Sequence, residues 1–437
     1  MNSGNPPKRI TRTVLGALKG GVVPRVGLEY IAVGRDREIG ALLRDIDIIA
    51  DGGAAFRFIV GKYGSGKSFL LQTIRNYAMD RGFVVVDADL SPERRFVGTK
   101  GQGLATYREL MKNMSTKTKP DGGALPLILE KWISAVKTDA AVETGLSDDD
   151  PAFEKLVEKR VYTVAGSLEG LVNGFDFAKA ILLYYKAYRE GDDELKSGVL
   201  RWFRGEYPTK TEAKKELGIT SIVTDETWYD FIKIFAEFMV RAGYRGMLVL
   251  VDELVNIFKI PHAATRQSNY EKILTMYNDV LQGKAGHIGF LIGSTPQCIE
   301  DKYRGVFSYE ALRSRLSESR FSSEDAKDLF SPIIRLTMLT YDEVYVLVEK
   351  LAQMHGQLFD YTPSVTHDDL LCFLNAEYNR VGAETHITPR EIIRDFIELL
   401  DTLLQNPGKT MAELVGSGEF APSAGAAENE AFTEFEL

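Results

Sequence analysis

The sequence predicts an α/β fold: a parallel sheet flanked by helices, with a large helical insertion and a C-terminal helical lid. Three observations predict it. Phe56, Phe58, Ile59 and Val60, the Val-rich stretch 83–89 and the apolar runs 247–251 and 288–292 read as strands, the Val-rich one typical of a strand covered on both faces, and 333–336 reads as one more short strand. Residues 61–68 read Gly-Lys-Tyr-Gly-Ser-Gly-Lys-Ser, a Gly-rich turn leading from the first run into a helix-spaced segment. Residues 96–245 contain no strong strand run and are rich in amphipathic segments parted by Gly and Pro.

The elements follow in order. Residues 1–28 form a loose start and a basic arm, with Lys8, Arg9, Arg12 and Lys19 around Val14, Leu15 and Leu18. Charge runs are usually solvated faces, so a solvated helix or arm is expected, with partner or nucleic-acid contact as the other reading. Ile39, Leu42, Leu43, Ile46 and Ile49 recur at helical spacing until Gly52 and Gly53 end the helix. The α/β core is expected over residues 29–95 and 246–338, interrupted by the insertion at 96–245. Within the insertion, residues 182–185 are apolar all round and predict a deeply buried helix. Helical segments at 341–354, 368–377 and 389–403 make the lid, 339–409. Residues 410–437 predict an acidic, disordered tail, weighed against a segment that folds on a partner.

Composition narrows the function. The 437 residues allow two or three structural units, and 44% hydrophobic content supports a large core. A net charge of −9 argues against a surface devoted to nucleic acid, while leaving room for a local basic patch. Cys298 and Cys372 offer neither a disulfide framework nor metal-ligand spacing, and the five histidines are scattered. No secretory signal and no bilayer-length apolar stretch is evident, so no membrane association is expected and the compartment is the cytosol.

The chemistry centres on residues 61–68, which fit G-x-x-x-x-G-K-[ST] at each fixed position. Its glycines let backbone N–H groups curl around phosphate oxygens, and the helix that follows aims its N-terminus at the same anion. The nucleotide-contacting stretch is expected to be Gly61, Lys62, Tyr63, Gly64, Ser65, Gly66, Lys67, Ser68 and Phe69. Lys67 would reach the β- and γ-phosphates of ATP, and Ser68 would ligate Mg²⁺.

Residues 247–253 supply the partner motif. An apolar strand delivers Asp252 to hold Mg²⁺, directly or through water, and Glu253 to deprotonate the attacking water. Ser294 and Thr295 end the next strand, where a hydroxyl would touch the γ-phosphate or the water, or simply cap the strand end. Arg313 and Arg315, in the stretch 312–320 that also holds Arg320, are candidates to neutralise charge building on the γ-phosphoryl group. Residues 388–391, Thr-Pro-Arg-Glu, predict a capping box, with Arg390 in the first turn of the last lid helix.

These pieces, in this order, resemble the AAA+ ATPases, closest to their initiator-type, origin-recognition-like branch. The segment 33–38, Val-Gly-Arg-Asp-Arg-Glu, resembles the family's GRExE entry motif, which implies adenine framing by Val33 and Gly34. By the same resemblance residues 61–68 are Walker A, 247–253 Walker B, 294–295 sensor 1, Arg313 and Arg315 the arginine-finger region, and Arg390 sensor 2. The likeness covers the α/β core and the lid, not the insertion or the tail. More narrowly, the phrases at 29–35, 58–68, 89–94 and 387–395 resemble the ATP-binding proteins of bacteriophage-exclusion (BREX) defence systems. That resemblance implies a role in anti-phage defence beside a methyltransferase and, in some systems, a helicase-like protein.

The expected function is ATP hydrolysis driving a switch or remodeller, acting as a homo-oligomer if an arginine completes a neighbour's site, with DNA as a candidate substrate. The rival is a nucleotide-gated scaffold that recruits effectors with little turnover. A small-molecule kinase fits less well, because the Asp-Glu pair suits attack by water.

Overall fold

The computed structural model describes residues 6–146, 150–316, 328–362, 365–379 and 388–416. The chain forms two compact units: one from Met1–Ile39, Gly61–Thr73 and Arg335–Leu437, the other from Gly40–Val60 and Ile74–Ile334.

The larger unit is built on a five-stranded sheet. Its strands are β1 (Ala54–Gly61), β2 (Val84–Asp89), β3 (Met247–Asp252), β4 (Ile288–Ser294) and β5 (Ile333–Leu336), in the order β2-β3-β4-β1-β5. The β2/β3, β3/β4 and β4/β1 pairings are parallel. Every position of β4 is buried, and all of β3 before Asp252, which explains why these strands read as unbroken apolar runs. Pairing, more than apolarity, sets the strand ends. Ala54 and Ala55 join β1 because they lie opposite Ile288 and Gly289, two residues before the first aromatic.

Between β2 and β3 run seven helices among the described residues: Gln102–Lys112, Leu125–Thr144, Pro151–Gly166, Gly174–Glu190, Asp193–Phe203, Lys210–Leu217 and Trp228–Arg241. Local signals start several of them. Asp150, Asp192 and Thr209 each accept a hydrogen bond from a first-turn N–H, satisfying donors the helix leaves unpaired. These helices do not make a core of their own. Trp132, Phe177, Trp202 and Phe235 belong to one continuous apolar cluster with Phe56, Val86 and Phe290 of the sheet. Aromatic edges join the layers: Phe177 meets Phe235 at 4.9 Å, and Tyr229 meets Phe290 at 6.1 Å. In the helix Gly174–Glu190, Tyr184 and Tyr185 are buried, whereas Leu182 and Leu183 are only half-buried. The all-apolar stretch 182–185 therefore has one face turned outward, a correction to the deep burial expected of it.

The smaller unit is helical: Lys8–Lys19, Leu28–Ile31, Tyr341–Phe359, His367–Tyr378, Pro389–Gln405 and Met411–Gly416. Its core joins Val14, Leu15, Leu28 and Ile31 to Val348, Leu351, Phe373, Phe396 and Leu400. The basic segment is thus a helix whose cations are exposed and whose apolar face is packed. Val14 is wholly buried, Lys8 pairs with Asp360, and Lys19 pairs with Asp401 at 2.6 Å. The cations occupy one face of the helix and the apolar residues the other, and the matching surface comes from more than 300 residues downstream. Most of the acidic stretch 410–437 lies outside the described residues. No helix among the described residues is long and apolar enough to cross a membrane.

Candidate functional site

In the sheet of the larger unit, register brings strand ends together. Val60 lies opposite Ser294, and Asp89 opposite Asp252. Carboxyl ends of parallel strands are where α/β proteins place ligands. The chain leaves β1 at Gly61, forms the Gly-rich turn, and enters the helix Lys67–Asp80.

The turn itself belongs to the smaller unit. Gly64 has φ +77°, and a Cβ there would sit 2.9 Å from the Cβ of Thr388. Only glycine meets both demands. At Gly61 a Cβ would fall 2.2 Å from the Ser65 hydroxyl, which is buried and has no hydrogen-bond partner among the described residues. The loop is therefore a tight backbone cradle containing an unsatisfied polar atom, and it fits a phosphate chain. Lys67 curls over it, its Nζ 3.0 Å from the carbonyls of Gly61 and Lys62. Lys62, Tyr63 and Ser68 are exposed. Phe69 differs from the expectation in one respect: its side chain packs on the apolar core of this unit, leaving only its backbone for a ligand.

Thr388 caps the helix Pro389–Gln405 in a full capping box with Glu391, as its sequence predicts. This sets Arg390 beside the loop. It donates to the Tyr63 hydroxyl at 2.9 Å, and its guanidinium carbon lies 5.5 Å from the ring centre. Val33 is half-buried against the same core. Gly34 has φ +68°, and a Cβ there would run into the Glu343 carboxylate.

The acidic motif lies in the larger unit. Asp252, half-buried, ends β3 and accepts a hydrogen bond from the Glu253 N–H at 2.8 Å. Glu253 is exposed and adopts φ +61°, a left-handed conformation that costs a non-glycine residue about 1–3 kcal/mol. Asp89 was not among the expected site residues, yet register sets it beside Asp252. Desolvation at the strand end, incomplete because Asp89 is still exposed, and then the negative charges of Asp252 and Asp87 raise its pKa. The apolar run ending in an acid at 89 was the available signal.

Ser294 is buried at the end of β4, its hydroxyl 3.3 Å from the Thr295 carbonyl. Thr295 caps the helix Pro296–Glu300: its hydroxyl accepts from the Cys298 N–H at 3.4 Å and donates to the Cys298 sulfur at 3.0 Å. Arg313 and Arg315 are exposed on the helix Glu310–Leu316, where Arg313 pairs with Glu310 and Arg315 donates to the Ala311 carbonyl at 2.8 Å. Arg320 lies outside the described residues.

A Gly-rich turn leading from a parallel strand into a helix, with an acidic residue ending another strand of the sheet, is the arrangement of nucleotide-binding α/β proteins. The family model for the BREX system ATP-binding protein BrxC/D matches residues 7–419, and the chain belongs to that family. No curated protein matches it.

Proposed function

We propose that this protein binds ATP with Mg²⁺ at residues 61–68 and hydrolyses it, acting as a nucleotide-driven switch in BREX-type anti-phage defence. The contact between loop and C-terminal helix carries this reading: Arg390 on Tyr63, and Thr388 against Gly64, within one compact unit. Whatever changes the phosphates held by the loop acts at once on the first turn of the helix Pro389–Gln405.

The residue roles follow from donor chemistry. Backbone N–H groups of the loop hold the phosphates, and Lys67 neutralises the β- and γ-oxygens. Mg²⁺ prefers oxygen donors, and the Ser68 hydroxyl and Asp252 carboxylate supply them. Bound there, it offsets charge on the phosphates. Glu253 takes the proton of the attacking water, while Ser294, with Thr295, orients it. Val33 and Gly34 border the adenine. Arg313 and Arg315, on an exposed helix surface, complete the site of a neighbouring copy in a homo-oligomer. Residues 29–95 and 246–338 form the catalytic core. The helices of 96–245 and 339–409 present the nucleotide state to defence partners, a methyltransferase and a helicase-like protein, and through them to DNA.

Steady-state phosphate release by wild type, Lys67→Ala and Glu253→Gln, with and without DNA, tests this. Turnover abolished in both variants is the expected result. Turnover at the wild-type rate in Glu253→Gln would overturn the hydrolytic assignment, and a tightly held nucleotide with negligible wild-type turnover would favour the scaffold.

A further inference from the structure

The segment resembling an entry motif contains a residue that none of the assignments above uses. Arg35 is only 4% exposed. One terminal nitrogen of its guanidinium donates to two carbonyls: that of Ser65 at 3.0 Å, and that of Thr337, just past β5, at 2.6 Å. Burial lowers its pKa, opposed by the carboxylates of Glu38 and Glu343. Glu343 is itself fixed, since it completes the capping box of the helix Tyr341–Phe359 and lies where a side chain at Gly34 would otherwise be.

The consequence lies in one peptide unit. The Ser65 carbonyl and the Gly66 N–H share a planar trans peptide, so they point in opposite directions. Pinning the carbonyl outward onto Arg35 turns the Gly66 N–H to the inner side of the loop. We infer that Arg35 is a positioning residue for the nucleotide: by holding the Ser65 carbonyl, it aims the Gly66 N–H at the phosphates and ties the loop to the end of β5. This rests on the nucleotide assignment proposed above. A buried cation used in this way touches no phosphate. It fixes in advance a donor that would otherwise have to be ordered on binding.

Arg35→Met keeps the apolar stem and removes the donors, and Arg35→Lys keeps a cation of shorter reach. The test is titration of each full-length protein with a fluorescent ATP analogue and Mg²⁺, together with amide hydrogen exchange of the 61–68 peptide. Losing a charge-assisted hydrogen bond should weaken the Kd of Arg35→Met by about 10- to 100-fold, with Arg35→Lys between it and wild type. Exchange across 61–68 should quicken in both variants. Reversible unfolding raises the apparent Kd only by the inverse of the folded fraction, so a melting curve run beside each titration supplies that factor, and a merely structural role leaves the Kd corrected for it unchanged. A wild-type Kd in Arg35→Met overturns the inference. Should that variant fail to fold, Arg35→Lys decides, and unchanged Kd and exchange in it overturn the inference equally. Absence of binding by wild type overturns instead the nucleotide assignment.

Discussion

Arg390 and Tyr63 stand 327 residues apart in the chain, yet the guanidinium of one donates to the hydroxyl of the other at 2.9 Å. The ring of Tyr63 also faces the cation, 5.5 Å from centre to guanidinium carbon. Tyr63 is about half-exposed, so the contact is held on the surface of the loop itself.

That pair should behave as a unit. A double-mutant cycle of Tyr63→Ala and Arg390→Ala, read on ATP hydrolysis, should show a coupling of about 0.5–1 kcal/mol, the size of an exposed cation–π contact. Strict additivity would mean that the two residues act independently in turnover.

Lys67→Ala should abolish nucleotide binding in calorimetry, because the loop loses the cation that lies over the Gly61 and Lys62 carbonyls. Glu253→Gln should bind normally and lose turnover by about 10²- to 10⁴-fold, the usual contribution of a positioned base. Retained binding in Lys67→Ala would count against the loop as the phosphate site.

Gly64→Ala places a methyl group 2.9 Å from Thr388 and forces alanine into φ +77°. The loop or the cap of the helix Pro389–Gln405 has to move. Stability should fall by more than about 1 kcal/mol, read as a lowered Tm, and ATP affinity should fall with it. A Gly101→Ala control, also at positive φ but with nothing within 4 Å among the described residues, separates backbone strain from the clash with Thr388.

Acid should loosen the N-terminal helix. Burial opposes ionisation of Asp401, but hydrogen bonds from His355 at 3.0 Å and Lys19 at 2.6 Å outweigh it and hold its pKa below the ordinary carboxylate value. A depressed folded pKa gives stability that is complete above the unfolded value, about 3.9, and is lost as pH falls through the folded one. Lys19, raised by the same pair, works in the opposite sense: its contribution holds below its unfolded pKa and fades as pH rises through the folded value. Melting curves between pH 2 and 6, about the range in question, should show a fall in Tm toward acid that Asp401→Asn flattens. An unchanged acid slope in Asp401→Asn would remove Asp401 from the account.

Much of this was legible locally. The strands at 247–251 and 288–292 announce themselves as unbroken apolar runs because burial on both faces leaves no place for polar side chains, whereas the other three carry Arg57, Asp87 and Arg335 and are legible mainly from their apolar neighbours. The capping box at Thr388 is written in four consecutive residues. The Gly-rich turn is legible for the same reason, since its backbone angles exclude other residues wherever the turn occurs. The family match runs along residues 7–419, so it spans these short-range phrases and the segments between them.

What stayed hidden depends on partners far along the chain. Arg35 reads as one charge in a polar motif until the Thr337 carbonyl, 302 positions away, meets it. The helix Lys8–Lys19 reads as solvated because the apolar surface that buries Val14 is supplied by helices near the other terminus. The segments of 96–245 read as a helical insertion, and which of their aromatics join the sheet's own core emerges only from packing. Secondary structure, turn chemistry and the phosphate-loop signature were set by the sequence alone, because steric and hydrogen-bonding rules act over a few neighbouring residues. Which cation is buried, which face is covered and which arginine meets the loop were decided only by tertiary structure, because burial is a property of surfaces that exist only once distant segments have packed.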